Sequence, residues 1–158
     1  MSIRLALALA LSLTFTACAA GPERLPESSP NATVEGAIKA AEIAGYCPVA
    51  YVQAGKPVKG VKEYPATHNG LTYWFVDEGS QKAFVDDPKA YEVMYRGWDA
   101  LGMTGGVKSK SDPTAFAVKD GHIYLFVTTD ARDAFMQSYP EMKAAADRAW
   151  AGMGGATF

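Results

Sequence analysis

Two cysteines, two histidines and no apolar run of bilayer-spanning length are the first constraints in this chain of 158 residues. The cysteines are Cys18 and Cys47, and no Cys-x-x-Cys or Cys/His spacing of a zinc module occurs. Positive charge is just as thin. Fifteen Lys and Arg are scattered without a basic stripe and the formal net charge is -2, so nothing in the chain favours a nucleic-acid partner. There is no Ser/His/Asp order, no zinc-protease motif and no dinucleotide fingerprint. The glycines of "GMTGGVK" (102–108) lack the Gly-Lys-Ser/Thr ending of a phosphate loop. The well-marked enzyme classes drop out, and the balance leans away from an enzyme. What remains, 49% apolar and 20% charged, has the composition of an ordinary globular domain.

The first thirty residues differ from the rest. "MSIRLALALALSLTFTACAAG" carries one Arg, an apolar run from Leu5 to Phe15, and small residues around Cys18. That tripartite layout is a secretory signal, too short to span a bilayer as a mature helix. Two processing routes fit. Phe15-Thr16-Ala17-Cys18 reads as a lipobox over residues 1–18, which would leave Cys18 as the lipidated first residue and anchor the protein to the periplasmic face of the envelope. Ala17-Cys18-Ala19 reads instead as an ordinary cleavage site that discards Cys18. Residues 19–30, "AAGPERLPESSP", are a flexible tether. Either route exports the protein to an oxidising compartment, where Cys47 has no intramolecular disulfide partner.

From residue 31 to 152 the chain reads as one module written twice, with units of about 45–96 and 97–152 and a tail at 153–158. "HNGLTYWFV" (68–76) lies over "KDGHIYLFV" (119–127) at an offset of 51, and "GYC" (45–47) over "GWD" (97–99) at 52. Asn69-Gly70 and Asp120-Gly121 predict type I′ hairpin turns, each followed by an aromatic, β-branched strand. Helices are predicted next, capped by Asp77 or a neighbour and by Thr128 or Thr129. Further helices restart at Asp87-Pro88 and Ser138-Tyr139-Pro140 and end at Gly97 and Gly152. A short amphipathic helix, "TVEGAIKAAEIAG" (33–45), precedes the first unit. A single unit is too small to bury a core, but two together suffice. The predicted class is α+β: tandem hairpin-plus-helix units with pseudo-twofold symmetry, antiparallel strands covered by helices.

These residues resemble a known family. "TYWFVDEGSQKAFVDDPKAY" (72–91) is similar to the signature of YHS domains, and "GYCPVAYVQAGKPVKG" (45–60) to the opening of their exported bacterial branch, the YHS domain-containing (seleno)proteins. The likeness covers 45–91 well and 97–150 as a worn second copy. The metal-binding cysteines of short YHS modules would fall on Ala50, Val76 and Ser80, none of which supplies a thiolate. In the exported branch position 47 is usually Asp, and a Cys or selenocysteine sits where "RGWDA" (96–100) has Asp99. The two are exchanged here. If a dyad relates the units, Cys47 and Asp99 face each other.

Three readings of Cys47 follow. It stands just past the helix end at Gly45 and opposite the expected Asp99 carboxylate, and both disfavour a thiolate, so a neutral core thiol is one reading. A soft-metal site is the second: Cys47, Asp99 and His68 suit zinc, and Cys47 with His68 and Met94 or Met103 suits copper(I). A redox thiol is the third. His68 and His122 also read as solvated residues beside turns. Tyr46, Tyr51, Tyr95 and Trp98 flank positions 47 and 99 and are the candidate lining of a ligand cleft. The leading functional expectation is a binding module for a soft metal or small ligand, ahead of a thiol-based redox enzyme and of a structural envelope protein.

Overall fold

The structure, a computed structural model, describes residues 43–155. The signal segment, Cys18, the tether and most of the predicted 33–45 helix lie outside them. Helix α1 (Pro48–Gln53) leads into the hairpin β1 (Val61–His68) and β2 (Leu71–Phe75), then helix α2 (Glu78–Asp86). Two short tight segments, Pro88–Tyr91 and Met94–Gly97, connect to helix α3 (Ala100–Thr104). The second hairpin, β3 (Asp112–Lys119) and β4 (His122–Phe126), is followed by helices α4 (Thr129–Gln137) and α5 (Tyr139–Gly152). The class is α+β, with two separate two-stranded antiparallel sheets.

Local chemistry accounts for most element boundaries. Asn69 (φ 50) and Gly70 (φ 74), like Asp120 (φ 52) and Gly121 (φ 78), occupy the left-handed region that a two-residue hairpin turn requires. Asp77 caps α2 by accepting from the Ser80 N–H at 2.7 Å, and Thr128 caps α4 through Ala131 at 3.1 Å. Asp87 accepts from Ala90 at 3.4 Å, with Pro88 in the first turn of the segment it starts. Ser138 precedes α5 but makes no side-chain cap. Gly152 is the last residue of α5, and the left-handed residue that turns the chain is Gly154 (φ 75).

The hairpins share one irregular register. In the first, Val61 pairs with Phe75 and a bulge intervenes before Pro65 pairs with Trp74. In the second, Asp112 pairs with Phe126 and a bulge intervenes before Phe116 pairs with Leu125. Each residue corresponds at the 51-residue offset of the sequence repeat. The bonding before each hairpin also recurs: the Cys47 N–H donates to Val58 C=O at 2.8 Å, and the Asp99 N–H to Ser109 C=O at 3.0 Å. Gly60 is needed where it stands, because a β-carbon there would overlap the Trp74 backbone carbonyl.

The two strands that follow the turns are buried differently. β2 alternates, with Leu71, Tyr73 and Phe75 inward and Thr72 and Trp74 half-exposed. β4 is buried on both faces from Ile123 to Phe126. Ile123 and Leu125 join the core of the first unit, around Cys47, Tyr51, Phe75 and Phe84. Tyr124 and Phe126 join the second core, with Met94, Tyr95, Met103, Phe135 and Trp150. The segment from Val93 to Asp99 lies along β4, making parallel bridges from Val93 to Ile123 and from Asp99 to Leu125. β4 is therefore the element shared by both cores. Tyr51 adds a second tie, donating its hydroxyl to the Pro113 carbonyl at 2.8 Å.

Candidate functional site

Asp99 is the one charged residue in the core of the described residues, 3% exposed. Its backbone is non-helical (φ -56, ψ 117) and it is the N-cap of α3. Oδ2 accepts from the Gly102 N–H at 2.7 Å and Oδ1 from the Val127 N–H at 3.1 Å. One carboxylate thus satisfies two backbone donors, one opening a helix and one just past a strand. The signal for this was present as Asp followed by an apolar stretch in "GWDALGM", an N-cap pattern that the site-centred reading overlooked.

Cys47 holds the matching place before α1, extended as its neighbour Pro48 requires (φ -82, ψ 117), but without a side-chain cap. It is fully buried. Among the described residues its thiol hydrogen-bonds to nothing, Asp99 included. The dipole expectation also changes sign, since Cys47 abuts the N-terminal, partially positive end of α1. Lys59 donates to the Ala44 carbonyl at 3.2 Å and lies 4.8 Å from the Tyr46 ring centroid.

The metal sets do not assemble. Among the described residues no three His, Cys, Asp or Glu side chains form a group able to hold a metal ion, so Cys47, Asp99 and His68 are not a common site. The reason is that Asp99 is committed to backbone donors and His68 sits at the far end of β1, against Asn69 and edge-on to Phe84. Met94 and Met103 are buried in the second core, whereas Cys47 is in the first. His122, which opens β4, is half-buried with Nδ1 lacking a partner.

The expected aromatic cleft is also rearranged. Tyr51 and Tyr95 are core residues, 1% and 0% exposed. Tyr95 donates to Asp147 Oδ1 at 2.9 Å, and Asp147 Oδ2 accepts from Lys143 at 2.6 Å. Burial pushes both tyrosine hydroxyls well above the usual tyrosine range, as it does Tyr124. Tyr46 is half-buried beside Tyr51, with ring centroids 6.5 Å apart. Of the four, Trp98 lines a cavity of ligand size that the other three do not.

That cavity, about 620 Å³, is formed where residues of the first hairpin and α2 meet the Val93–Asp99 crossing and the end of α5. Its apolar lining includes Leu71, Tyr73, Phe84, Tyr91, Trp98 and Trp150. Its polar groups are His68, Asn69, Glu92, Arg96 and Lys108. Neither Cys47 nor Asp99 lines it. Arg96 is set by an uncommon backbone: Tyr95 (φ 53), Arg96 (φ 56) and Gly97 (φ 80) are left-handed in succession. For the two non-glycine residues that conformation costs about 1–2 kcal/mol each, offset by the buried Tyr95 ring on one side. Sequence reasoning identified Trp98 and His68 but missed Arg96 and Lys108, whose only signal was a "YRG" tripeptide and an isolated lysine.

Scans against family models, curated proteins and solved structures each return no match. No helix among the described residues is long and apolar enough to cross a membrane.

Proposed function

We propose that this chain is an exported bacterial protein, lipid-anchored through Cys18, whose YHS-like tandem units are related by an approximate dyad and act as a non-enzymatic binding module. The ligand is a small molecule, and its site is the aromatic cavity rather than the neighbourhood of Cys47. One observation carries this reading: a cavity of about 620 Å³, walled by aromatic rings from both units, with a few polar groups among them. That volume lies in the ordinary range for small-molecule sites, and the mix of apolar wall and few polar groups is what such sites use for affinity and orientation. A buried thiol without a resolving partner supplies no comparable support for redox chemistry.

The test is binding of N-phenyl-1-naphthylamine, a neutral aromatic dye, followed by its fluorescence. Saturable binding to the purified protein is expected, weakened at least fivefold by Trp98→Ala, with folding checked by circular dichroism. Dye binding that is absent, or indifferent to Trp98→Ala, overturns the cavity reading. Mass spectrometry of membrane fractions tests the anchor separately: a diacylglyceryl adduct on Cys18 is expected, and an unmodified N-terminus at Ala19 refutes it.

A further inference from the structure

The cavity's charges are unequal. Arg96 and Lys108 line it, and Glu92 is the only carboxylate among its described lining residues. Arg96 and Lys108 are both exposed, so their heads meet solvent at the rim while aromatic rings form the wall. Among the described residues neither cation has a carboxylate partner, although four ion pairs occur elsewhere on the same surface. Lys108 is instead placed over an aromatic ring, its Nζ 5.2 Å from the Trp150 centroid. Arg96 is held at this rim by the left-handed Tyr95-Arg96-Gly97 run, because the buried Tyr95 and the half-buried Trp98 fix the chain on either side. A charged rim fixed by backbone geometry over an aromatic wall is complementary to a ligand with a flat apolar body and one anionic end.

We infer that the cavity selects amphipathic aromatic anions, with Arg96 and Lys108 receiving the acidic group and Tyr91, Phe84 and Trp98 the apolar body. This rests on the cavity reading above. The guanidinium offers a planar fork to a carboxylate or sulfonate, and the ammonium a second donor.

Two dyes that share one skeleton separate the terms. 8-Anilinonaphthalene-1-sulfonate carries an anion, and N-phenyl-1-naphthylamine is the same framework without it. Both are titrated into the wild type and into the Arg96→Gln/Lys108→Gln double variant. The expected result is that the double variant binds the sulfonate about tenfold more weakly, in line with losing a charged hydrogen bond. The neutral dye is expected to stay within about twofold, since rim charges contribute little to an uncharged ligand. Raising salt should weaken the sulfonate alone. If the variant weakens neither dye, or both equally, the anion inference is overturned while the cavity reading stands. If the neutral dye does not bind the wild type, the cavity reading falls and this inference with it.

Discussion

Replacing Asp99 by Ala tests the assignment of this buried carboxylate to structure. The substitution removes the acceptor of two backbone donors, Gly102 N–H and Val127 N–H. Losing an N-cap costs about 1 kcal/mol. Leaving a partly buried N–H without a partner costs roughly 1–3 kcal/mol more. Relief from desolvating the carboxylate offsets part of this, so a net loss of about 2–4 kcal/mol is expected. Asp99→Asn keeps an oxygen for the cap but has only one acceptor atom, and should lose roughly half as much. Urea unfolding followed by tryptophan fluorescence reads both. With a slope of about 1–3 kcal/mol per molar, the Ala variant should unfold roughly 0.7–4 M earlier at unchanged slope. An Ala variant within about 0.5 kcal/mol of the wild type refutes the argument. A carboxylate reserved for a metal would give the opposite pattern, with unchanged metal-free stability and zinc-dependent stabilisation of the wild type only.

Two further outcomes follow from burial. Tyr51, Tyr95 and Tyr124 have folded-state pKa values raised above the usual tyrosine value of about 10, chiefly by burial, so the folded protein holds protons that the unfolded chain releases. Their contribution is complete below about pH 10 and declines as pH rises beyond it; tyrosinate absorbance should climb in step with loss of circular dichroism, and gradual ionisation before unfolding would contradict it. Cys47, fully buried, should react with iodoacetamide at least about a thousandfold more slowly in the native protein than in urea. Native labelling within tenfold of the unfolded rate would restore the redox reading.

Where a feature depends on three or four neighbouring residues, it was legible before the structure. The turns at Asn69-Gly70 and Asp120-Gly121 and the caps Asp77 and Thr128 are local, because positive φ and an N–H acceptor three residues upstream are decided within the segment. The helices α1 and α3 were not anticipated, being six and five residues long, too short for periodicity to announce. Their N-caps, Cys47 and Asp99, therefore looked like chemistry. Both lie buried in the fold, the carboxylate spent on two backbone N–H groups and the thiol within a hydrophobic cluster.

By itself the sequence determined the α+β class and the local turns and caps, whereas the shared strand register and the burial of residues 123–126, against the alternation of Leu71–Phe75, came only with the structure. A continuous apolar strand signals burial on both faces. Tertiary structure alone decided which neighbours fill those faces, placing Ile123 and Leu125 in one core and Tyr124 and Phe126 in the other. It alone brought His68, Arg96, Lys108 and Trp150 around one cavity. These residues are separated by dozens of positions, and no local preference encodes their meeting. It follows from the lowest-energy packing of two cores against the strand they share.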